Sequence, residues 1–491
     1  MEDSTLKQKA AKGFFWGGIS SGIELFFGAA FGVFLARMLS QEDYGLVAML
    51  SIFNAIGLII VTSGFSVALI NKKDATHKDY NAVFWFNVFS GLFLYLILFF
   101  SAPLIARGFG RPELINLSRV YFITLFFYGL TLVPNAIMQK QLMIKQQAQV
   151  VMIALLISGT VGVVMAFHGY AYWSLVAQYS ILVFLGFILR FFYVSWKPTF
   201  DIDFRPLKEM FAFSSKLLIT GIFSCISGNG NIFTIVLGKF YNATILGDYT
   251  QGQKWAGMGQ SFIGGMINQV TQPVLVQVHG EKERQANILR KMIRFGAFLS
   301  FPLMLGMAFI AKEFIFIVIG EKWVNSVPFL QLFCIWGAFF FLWNLFINMI
   351  YTHGKSNIYM YVTIFIGLLQ IAVVVVTYPW GKYAMVISFI LSNFIGLAIW
   401  HYFVRQLTGL RLREVLKDIL PYLAVTLLCF TTTWLITRSI QNIYYLIISK
   451  ILISAIFYIF AMKISRSVIF QESMEYFVNI FEKTKKKKNI I

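Results

Sequence analysis

Long apolar segments recur from one end of this chain to the other, and they constrain its fold more than any other feature. Of its 491 residues, 58% are hydrophobic and only 13% are charged. A soluble domain carries about 25% charged residues, so this chain has too few of them to cover a surface that faces water. A run of about 20 apolar residues crosses the hydrocarbon core of a bilayer as a helix. The sequence therefore predicts an all-α integral membrane protein with about 14 transmembrane helices.

The predicted spans are centred on segments of similar length along the whole chain. They are 14–36, 44–69, 82–105, 115–137, 146–168, 170–194, 211–237, 244–274, 288–311, 326–350, 357–379, 382–404, 416–437 and 441–462.

Lysine and arginine are distributed unevenly between alternate loops. The formal net charge is +20. The cations concentrate in every second loop, as in the cluster Lys72, Lys73 and Lys78, and in the lysine-rich tail. Lys140 belongs to another of these predicted cytoplasmic loops, whereas the predicted outer loops hold scattered cations such as Arg37, Arg107 and Arg111. Cytoplasmic loops of membrane proteins carry this excess. The pattern predicts an even number of spans with both termini cytoplasmic, and a tail that lies on anionic lipid. Because loop position explains the positive charge, we expect no binding to nucleic acid.

A polar break at about 196–210 divides the predicted spans into two sets of six. Two further spans follow the second set. The sequence therefore predicts an N-terminal six-helix lobe at 1–200, a C-terminal six-helix lobe at 201–410, two additional transmembrane helices at 411–465, and a basic cytoplasmic tail at 466–491. An even number of spans in each lobe predicts a parallel repeat about an axis normal to the membrane.

A short motif occurs once in each predicted lobe. Arg37 precedes Gly45 by eight residues in "LARMLSQEDYGLVAM", and Lys239 precedes Gly247 by eight in "VLGKFYNATILGDYTQG". Each pair lies where one apolar helix ends and the next begins. The motif predicts two structural halves that face each other, with a substrate path between them.

The eighth span carries a continuous polar face. At 100° per residue its members fall on one side of a helix: Thr250, Lys254, Gly257, Ser261, Gly264, Asn268 and Gln272. We interpret this face as the wall of a water-filled cavity, because a charge within a span is costly and usually functional. The alternative is packing of small residues, with Lys254 extending its ammonium to the interface.

The seventh and first spans add further candidates. The seventh carries a similar face that includes Ser224 and Asn231, which we assign to the cavity. Glu24 is the acidic residue within the first span, and it either holds a coupling proton or cation, pairs with a cavity cation, or is hydrogen-bonded at a helix contact. For Lys450, in the last span, we prefer contact with lipid or the interface.

Motifs for catalysis and cofactors are missing from the sequence. The segment "HGKS" at 353–356 lacks the spacing of a nucleotide-binding loop, and there is no H-E-x-x-H pattern. Cys225, Cys334 and Cys429 have no metal-binding or redox spacing. We therefore expect no enzyme activity, no metal and no cofactor.

Several segments resemble one family closely. They are "ARMLSQEDYGLVAM", "SGFSVALINKKDATHKDYNAVFWFN", "LGDYTQGQKW" and "FLSFPLMLGMAFIAKEFIFIVIGEKWVNSVPFLQLF". They resemble the Wzx-type polysaccharide flippases of the multidrug/oligosaccharidyl-lipid/polysaccharide exporter superfamily, over residues 8 to 410. The segment "YTQGQKW" departs from the family, whose members often have a basic residue earlier in this turn.

The resemblance implies a fold and a function. The fold would be two six-helix lobes in a V-shaped arrangement that alternate between inward and outward openings, followed by two C-terminal helices. The substrate would be a polyprenyl-pyrophosphate-linked oligosaccharide, flipped across the cytoplasmic (inner) membrane of a bacterium for lipopolysaccharide, capsule or extracellular polysaccharide. Lys254, Arg37 and Lys239 would face the pyrophosphate or acidic sugars. The partners would be membrane lipids and the polysaccharide polymerase and chain-length machinery.

Three other functions remain open at this point, and the least favoured is a lipid scramblase without sugar specificity. A multidrug or cation antiporter of the same superfamily would favour acidic cavity residues, and Glu24 is the one candidate. A membrane polysaccharide polymerase or ligase would need a large outer loop, and no outer loop here is predicted to exceed about a dozen residues.

Overall fold

The computed structural model describes residues 22–62, 64–72, 74–228, 231–277, 281–465, 467 and 469–472. Within these residues the backbone forms helices and connecting turns, and no β-strand. This confirms the prediction of an all-α membrane protein. Most of the predicted basic tail at 466–491 lies outside the described residues.

Eleven helices cover the described residues up to 277. They are α1 (22–38), α2 (Gln41–Thr62), α3 (Phe65–Asn71), α4 (His77–Phe109), α5 (Leu114–Tyr121), α6 (Ile123–Lys140), α7 (Ile144–Phe167), α8 (Trp173–Tyr193), α9 (Arg205–Gly228), α10 (Asn231–Phe240) and α11 (Ala243–Gln277).

Nine helices follow between residues 282 and 464. They are α12 (Lys282–Ser300), α13 (Gly306–Phe309), α14 (Ala311–Val318), α15 (Val327–Gly337), α16 (Phe340–Thr352), α17 (Ser356–Thr377), α18 (Lys382–Thr408), α19 (Leu412–Thr437) and α20 (Ile443–Ile464). A π-helical turn, Phe301–Leu305, joins α12 to α13. Pro302 explains this turn, because proline has no amide hydrogen to donate.

The number of membrane spans agrees with the sequence in most places. In the described residues, 10 helices are long and apolar enough to cross a membrane, and the pair Glu321–Gly337 and Phe340–Thr352, bent by 41°, makes up to 11. The predicted spans at 14–36, 211–237 and 244–274 run over residues whose position or side chain lies outside the described part. The count of fourteen therefore stays a prediction.

The chain packs into two compact units. One comprises Met1–Thr250 and Gly367–Tyr378, and the other comprises Gln251–Ile366 and Pro379–Ile491. Within the first unit, α9 and α10 pack against α2, and α9 also packs against α3 and α4. The predicted lobes, 1–200 and 201–410, are defined by a repeat along the chain and not by contacts between helices. They stay a prediction.

An ion-pair cluster joins the start of α9 to the start of α4 within the first unit. The Lys72 ammonium lies 2.9 Å from Oδ1 of Asp79, which begins α4, and 3.1 Å from Oε2 of Glu209 on α9. Hydrogen bonds to these two carboxylates raise the pKa of Lys72 above its usual value. Lys72 therefore stays charged at neutral pH and links the two helices.

Contacts between loops agree with the predicted sides of the membrane. The Lys140 ammonium donates to the backbone oxygen of Lys72, and both residues are predicted to be inside. Arg111, which is predicted to be outside, pairs at 2.7 Å with Glu42, five residues after the predicted outer residue Arg37. These contacts join the loops that the charge pattern assigns to one face, although the direction of that face stays a prediction.

Labelling of single cysteines tests this direction. We expect a cysteine at Lys140 to react with an impermeant thiol reagent only from the cytoplasmic side, and one at Arg107 only from the outer side. The three native cysteines are buried, so their background labelling is expected to be low. Modification of either introduced cysteine from the opposite side would reverse the topology.

The two C-terminal helices are held to the second unit by ion pairs. Arg290 on α12 binds Asp418 on α19, with Nε 2.7 Å from Oδ2. Lys450 on α20 binds Glu313 on α14, with Nζ 2.8 Å from Oε1. Lys450 is only 8% exposed, so the interpretation of this lysine as a residue that contacts lipid or the interface is wrong. A buried carboxylate keeps the ammonium within the protein.

Candidate substrate-binding face of helix α11

The two repeated turns begin equivalent helices. Helix α2 starts at Gln41 and α11 starts at Ala243, each four residues before the glycine of its motif. The residues before these starts, Ser40 and Asn242, accept the amide of the third helical residue with a side-chain oxygen. Such caps satisfy amides that have no partner in the first turn. The same local chemistry therefore sets both helix starts.

The glycines of the two motifs lie against the opposite helix start. A Cβ atom at Gly45 would lie 1.9 Å from the backbone oxygen of Ala243, and one at Gly247 would lie 1.9 Å from the backbone oxygen of Gln41. Both pairs of equivalent residues are 202 positions apart in the chain. The two contacts are therefore one pseudo-symmetric contact, and only glycine permits such a close approach of two backbones.

One side of α11 packs inside the second unit. A Cβ atom added at Gly252 would lie 2.7 Å from Cβ of Phe329 and 2.8 Å from the backbone nitrogen of Leu330. A Cβ atom added at Gly259 would lie 2.9 Å from the sulfur of Met304. The Gln260 amide donates to a backbone oxygen on α15 at 3.2 Å. This side is fixed by close packing.

The predicted polar face lies on the other side of α11 over its first turns. Thr250 and Lys254 are half-buried, Ser261 is exposed, and an added Cβ at Gly257 would meet no atom within 4 Å. Gly264 differs, because its added Cβ would lie 3.3 Å from the Asn344 amide nitrogen. The open polar face therefore runs from Thr250 to Ser261, and Gly264 belongs to a packed contact.

Lys254 has no acidic partner on this face. Among the described residues no carboxylate oxygen lies within 4.0 Å of its ammonium. The ammonium lies 5.8 Å from the centre of the Trp255 ring. Between Thr250 and Ser261 the sequence contains neither aspartate nor glutamate. The face therefore offers a positive charge that no carboxylate of the described residues neutralises, which suits an anionic group.

The other predicted cavity residues have different surroundings. Ser224 is half-buried on α9. The side chains of Asn231, Asn268 and Gln272 lie outside the described residues. Glu24 is exposed on α1, and no ion pair joins it to a described residue. Their assignment to a substrate cavity or to a coupling ion stays a prediction.

Arg37 and Lys239 lie at corresponding helix ends. Arg37 is in the last turn of α1 and Lys239 in the last turn of α10, and both are exposed. The Lys239 ammonium lies 5.7 Å from the centre of the Phe240 ring. A cation in this position complements the helix dipole. The structure thus gives both residues a local role, and contact with substrate stays a prediction.

Sequence reasoning missed two charged residues inside helices. Arg190 on α8 is half-buried beside a cavity, and Glu313 on α14 is 5% exposed. Arg190 is detectable from the sequence, because it lies three residues before the end of an apolar helix. Glu313 is not, because its partner Lys450 is distant in sequence. In the described part of the chain, no group of three His, Cys, Asp or Glu residues is placed to bind a metal ion.

Comparison with a protein-family model places the chain among known proteins. The model of the family described as "Polysaccharide biosynthesis protein" matches residues 34–328. This region includes both glycine turns and the whole of α11.

Characterised and uncharacterised relatives share moderate identity with the chain. An uncharacterised membrane protein in the cps region of Klebsiella pneumoniae is 28% identical over 346 residues, which cover 68% of this chain and 69% of that protein. Teichuronic acid biosynthesis protein TuaB of Bacillus subtilis (strain 168) is 26% identical, over 62% of this chain and 63% of its own length. Lipopolysaccharide biosynthesis protein WzxC of Escherichia coli (strain K12) is 24% identical, over 68% of both chains.

Solved structures share the fold at lower identity. Lipid II flippase MurJ in an inward closed conformation matches with a TM-score of 0.74 and 16% identity, over 92% of this chain and 99% of that chain. An inward-facing MATE-family multidrug resistance transporter of the MOP superfamily matches with a TM-score of 0.60 and 15% identity, over 79% and 96%. The fold is thus that of these multi-pass membrane transporters, and the chain belongs to the polysaccharide biosynthesis protein family.

Proposed function

We propose that this protein flips a polyprenyl-pyrophosphate-linked oligosaccharide repeat unit from the inner to the outer leaflet of a bacterial cytoplasmic membrane. The oligosaccharide would then enter a surface or extracellular polysaccharide. One observation carries the proposal: Lys254, which has no carboxylate partner in the described part of the chain, lies on an open polar face of a helix in a fold shared with a lipid II flippase. The names of TuaB and WzxC support the polysaccharide pathway.

The charge on α11 favours an anionic substrate over a cationic drug. A pyrophosphate carries negative charge through the membrane, and an ammonium on the path lowers the cost of that charge. A cation antiporter needs the opposite arrangement, with carboxylates on the path. Between Thr250 and Ser261 there are none. This supports the flippase over the multidrug antiporter that shares the fold.

The protein works as a transporter, and its residues provide binding and conformational change without a chemical step. Thr250 and Ser261 offer hydroxyl groups on the same face of α11 as Lys254, which suit sugar hydroxyls as well as phosphate oxygens. Both termini lie in the cytoplasm in this proposal. The flipped repeat unit is then available to a polymerase and chain-length machinery on the outer side.

Replacement of Lys254 tests the proposed path. We expect purified wild-type protein in liposomes to flip a polyprenyl-pyrophosphate-linked oligosaccharide without ATP. Lys254→Ala should slow flipping at limiting substrate roughly ten- to a hundred-fold, because a charge-assisted contact contributes about 1.5–3 kcal/mol. Lys254→Arg should retain much of the rate, since arginine also binds phosphate.

One control variant and one contrasting variant accompany this measurement. Lys312→Ala removes an exposed lysine at the start of α14, and we expect its rate to equal that of the wild type. Glu24→Gln should abolish accumulation driven by an ion gradient but leave substrate binding unchanged, if Glu24 carries the coupling ion. A wild-type rate for Lys254→Ala at normal folding would contradict the proposed path, and strict ATP dependence would contradict the function.

A further inference from the structure

A cavity within the first unit lies between α6, α7 and α8. Its volume is about 280 Å³, and Tyr128, Asn135, Gly186 and Arg190 are the lining residues that matter for its chemistry. Its other walls are largely aliphatic, with Val150, Val151, Leu182 and Val183 among them. It is separate from α11 and has no part in the path proposed above.

The Arg190 guanidinium has no acidic partner in this cavity. The helices α6, α7 and α8 contain no aspartate or glutamate, and no carboxylate oxygen of the described chain lies within 4.0 Å of Arg190. A charged group among apolar side chains is costly unless an opposite charge accompanies it. Within the described ranges, Arg190 is therefore a cation without a counter-ion.

Two hydrogen bonds hold the guanidinium in position. Nε donates to Oδ1 of Asn135 at 3.2 Å, and Nη1 donates to the backbone oxygen of Gly186 at 3.0 Å. A Cβ atom at Gly186 would lie 2.9 Å from Nη1, so glycine leaves room for the guanidinium beside the helix. Of its five N–H groups, three have no acceptor in the described residues.

Neighbouring groups add further donors. The Tyr128 hydroxyl lines the cavity and makes no hydrogen bond to a described residue. The Asn135 side chain uses its oxygen for Arg190, so its NH₂ group can donate elsewhere. The site thus presents a positive charge and several donors with few acceptors, which is the chemistry that binds an oxyanion.

The donors lie at different depths along the helices. The Arg190 guanidinium bonds to the backbone of Gly186, seven residues before the end of α8, and Tyr128 lies twelve residues before the end of α6. At 1.5 Å per residue, these positions are about 10 and 18 Å from the helix ends. A phosphate held by both groups would therefore lie between the helices and not at their ends.

We propose that the cavity between α6, α7 and α8 binds a phosphate group, which Arg190, Asn135 and Tyr128 hold by hydrogen bonds. The phosphate is either that of a membrane lipid or that of a water-soluble compound, and the same donors serve both. The site is distinct from Lys254, and its existence does not depend on the proposed flippase function, because binding is measurable without transport.

Thermal stability of the full-length purified protein in detergent measures this binding. A ligand that binds only the folded state raises the unfolding temperature in a concentration-dependent way. The probes are phosphatidylglycerol in mixed micelles, a neutral diacylglycerol with the same chains, and inorganic pyrophosphate. Stabilisation by phosphatidylglycerol but not by pyrophosphate identifies a lipid phosphate, and stabilisation by pyrophosphate identifies a soluble one.

Variants assign the binding to this cavity. We expect Arg190→Gln to weaken the affinity for the stabilising probe roughly ten- to a hundred-fold, and Arg190→Lys to retain part of it. Tyr128→Phe removes one hydroxyl and should weaken it several-fold, which provides a test if Arg190→Gln folds poorly. Lys197→Gln is the matched control, because Lys197 is exposed beyond the same end of α8.

The outcome decides the proposal in either direction. Selective loss of affinity in Arg190→Gln and Tyr128→Phe, with an unchanged Lys197→Gln, supports the site. Equal affinity in wild type and both cavity variants would overturn it, as would equal stabilisation by the neutral diacylglycerol.

Discussion

Gly45→Ala and Gly247→Ala are each expected to reduce flipping by at least about fivefold, and by similar amounts. In both variants the new Cβ atom would lie 1.9 Å from a backbone oxygen of the other helix start, far inside van der Waals contact. Neither backbone oxygen can move without moving its helix. Overpacking of this kind costs about 1–3 kcal/mol, which corresponds to roughly five- to 160-fold in the population of the close-packed state.

The equality of the two effects is the sharper part of this prediction. The contacts of Gly45 and Gly247 are related by the repeat of 202 residues, so each substitution disturbs the same helix pair. Gly265→Ala is the control on α11, because an added Cβ there meets no atom within 4 Å. We expect this control to flip at the wild-type rate. If Gly45→Ala also flips normally and unfolds at the wild-type temperature, the close contact is not needed for transport.

The helical architecture could be predicted from the sequence because its signal is local. Apolar runs such as those of α4 and α18 are long enough to identify spans by themselves. The repeat of Arg37–Gly45 and Lys239–Gly247 was also visible. The sequence does not show why glycine is needed at these positions, because the spacing does not reveal that Gly45 contacts Ala243 and that Gly247 contacts Gln41. Such a contact depends on how distant helices cross.

The candidate site was predictable only along a single helix. The periodicity of α11 placed Thr250, Lys254 and Ser261 on one face, and these residues lie on its open side. It also placed Gly264 there, which instead packs near Asn344, because helical periodicity does not say where a neighbouring helix begins to cover a face.

Charge pairs between distant segments could not be predicted at all. Lys450 and Glu313 are 137 residues apart, and each alone is an ambiguous charge near an apolar segment. The sequence indicated lipid contact for Lys450 because a single helix gives no information on its partner. The same limit concealed the cavity at Arg190, which three helices form together.

Breaking the pair between Lys450 and Glu313 is expected to destabilise the protein strongly. Both side chains are buried, with Nζ 2.8 Å from Oε1, and the second carboxylate oxygen has no partner within the described residues. The ammonium also lies 4.6 Å from the centre of the Phe309 ring. Glu313→Ala would leave a buried charge unpaired, which costs about 3–5 kcal/mol. The free energy of unfolding in detergent measures this loss.

A second pair in the same unit provides the comparison. Lys291 and Glu472 lie 2.7 Å apart, but their side chains are 57% and 46% exposed. Water screens such a pair, so Lys291→Ala should change the free energy of unfolding by about 0–1 kcal/mol. If Glu313→Ala and Lys291→Ala have the same small effect, the Lys450 pair is solvated and the anchoring role is wrong.

The double variant distinguishes anchoring by charge from anchoring by packing. Glu313→Leu with Lys450→Met removes both charges and keeps apolar side chains between α14 and α20. We expect it to be near wild-type stability or above it, because apolar replacement of a buried ion pair is often neutral or stabilising. The two single changes should therefore be strongly non-additive, by more than about 2 kcal/mol in a double-mutant cycle. Additive effects would mean that the two side chains stabilise the helices independently.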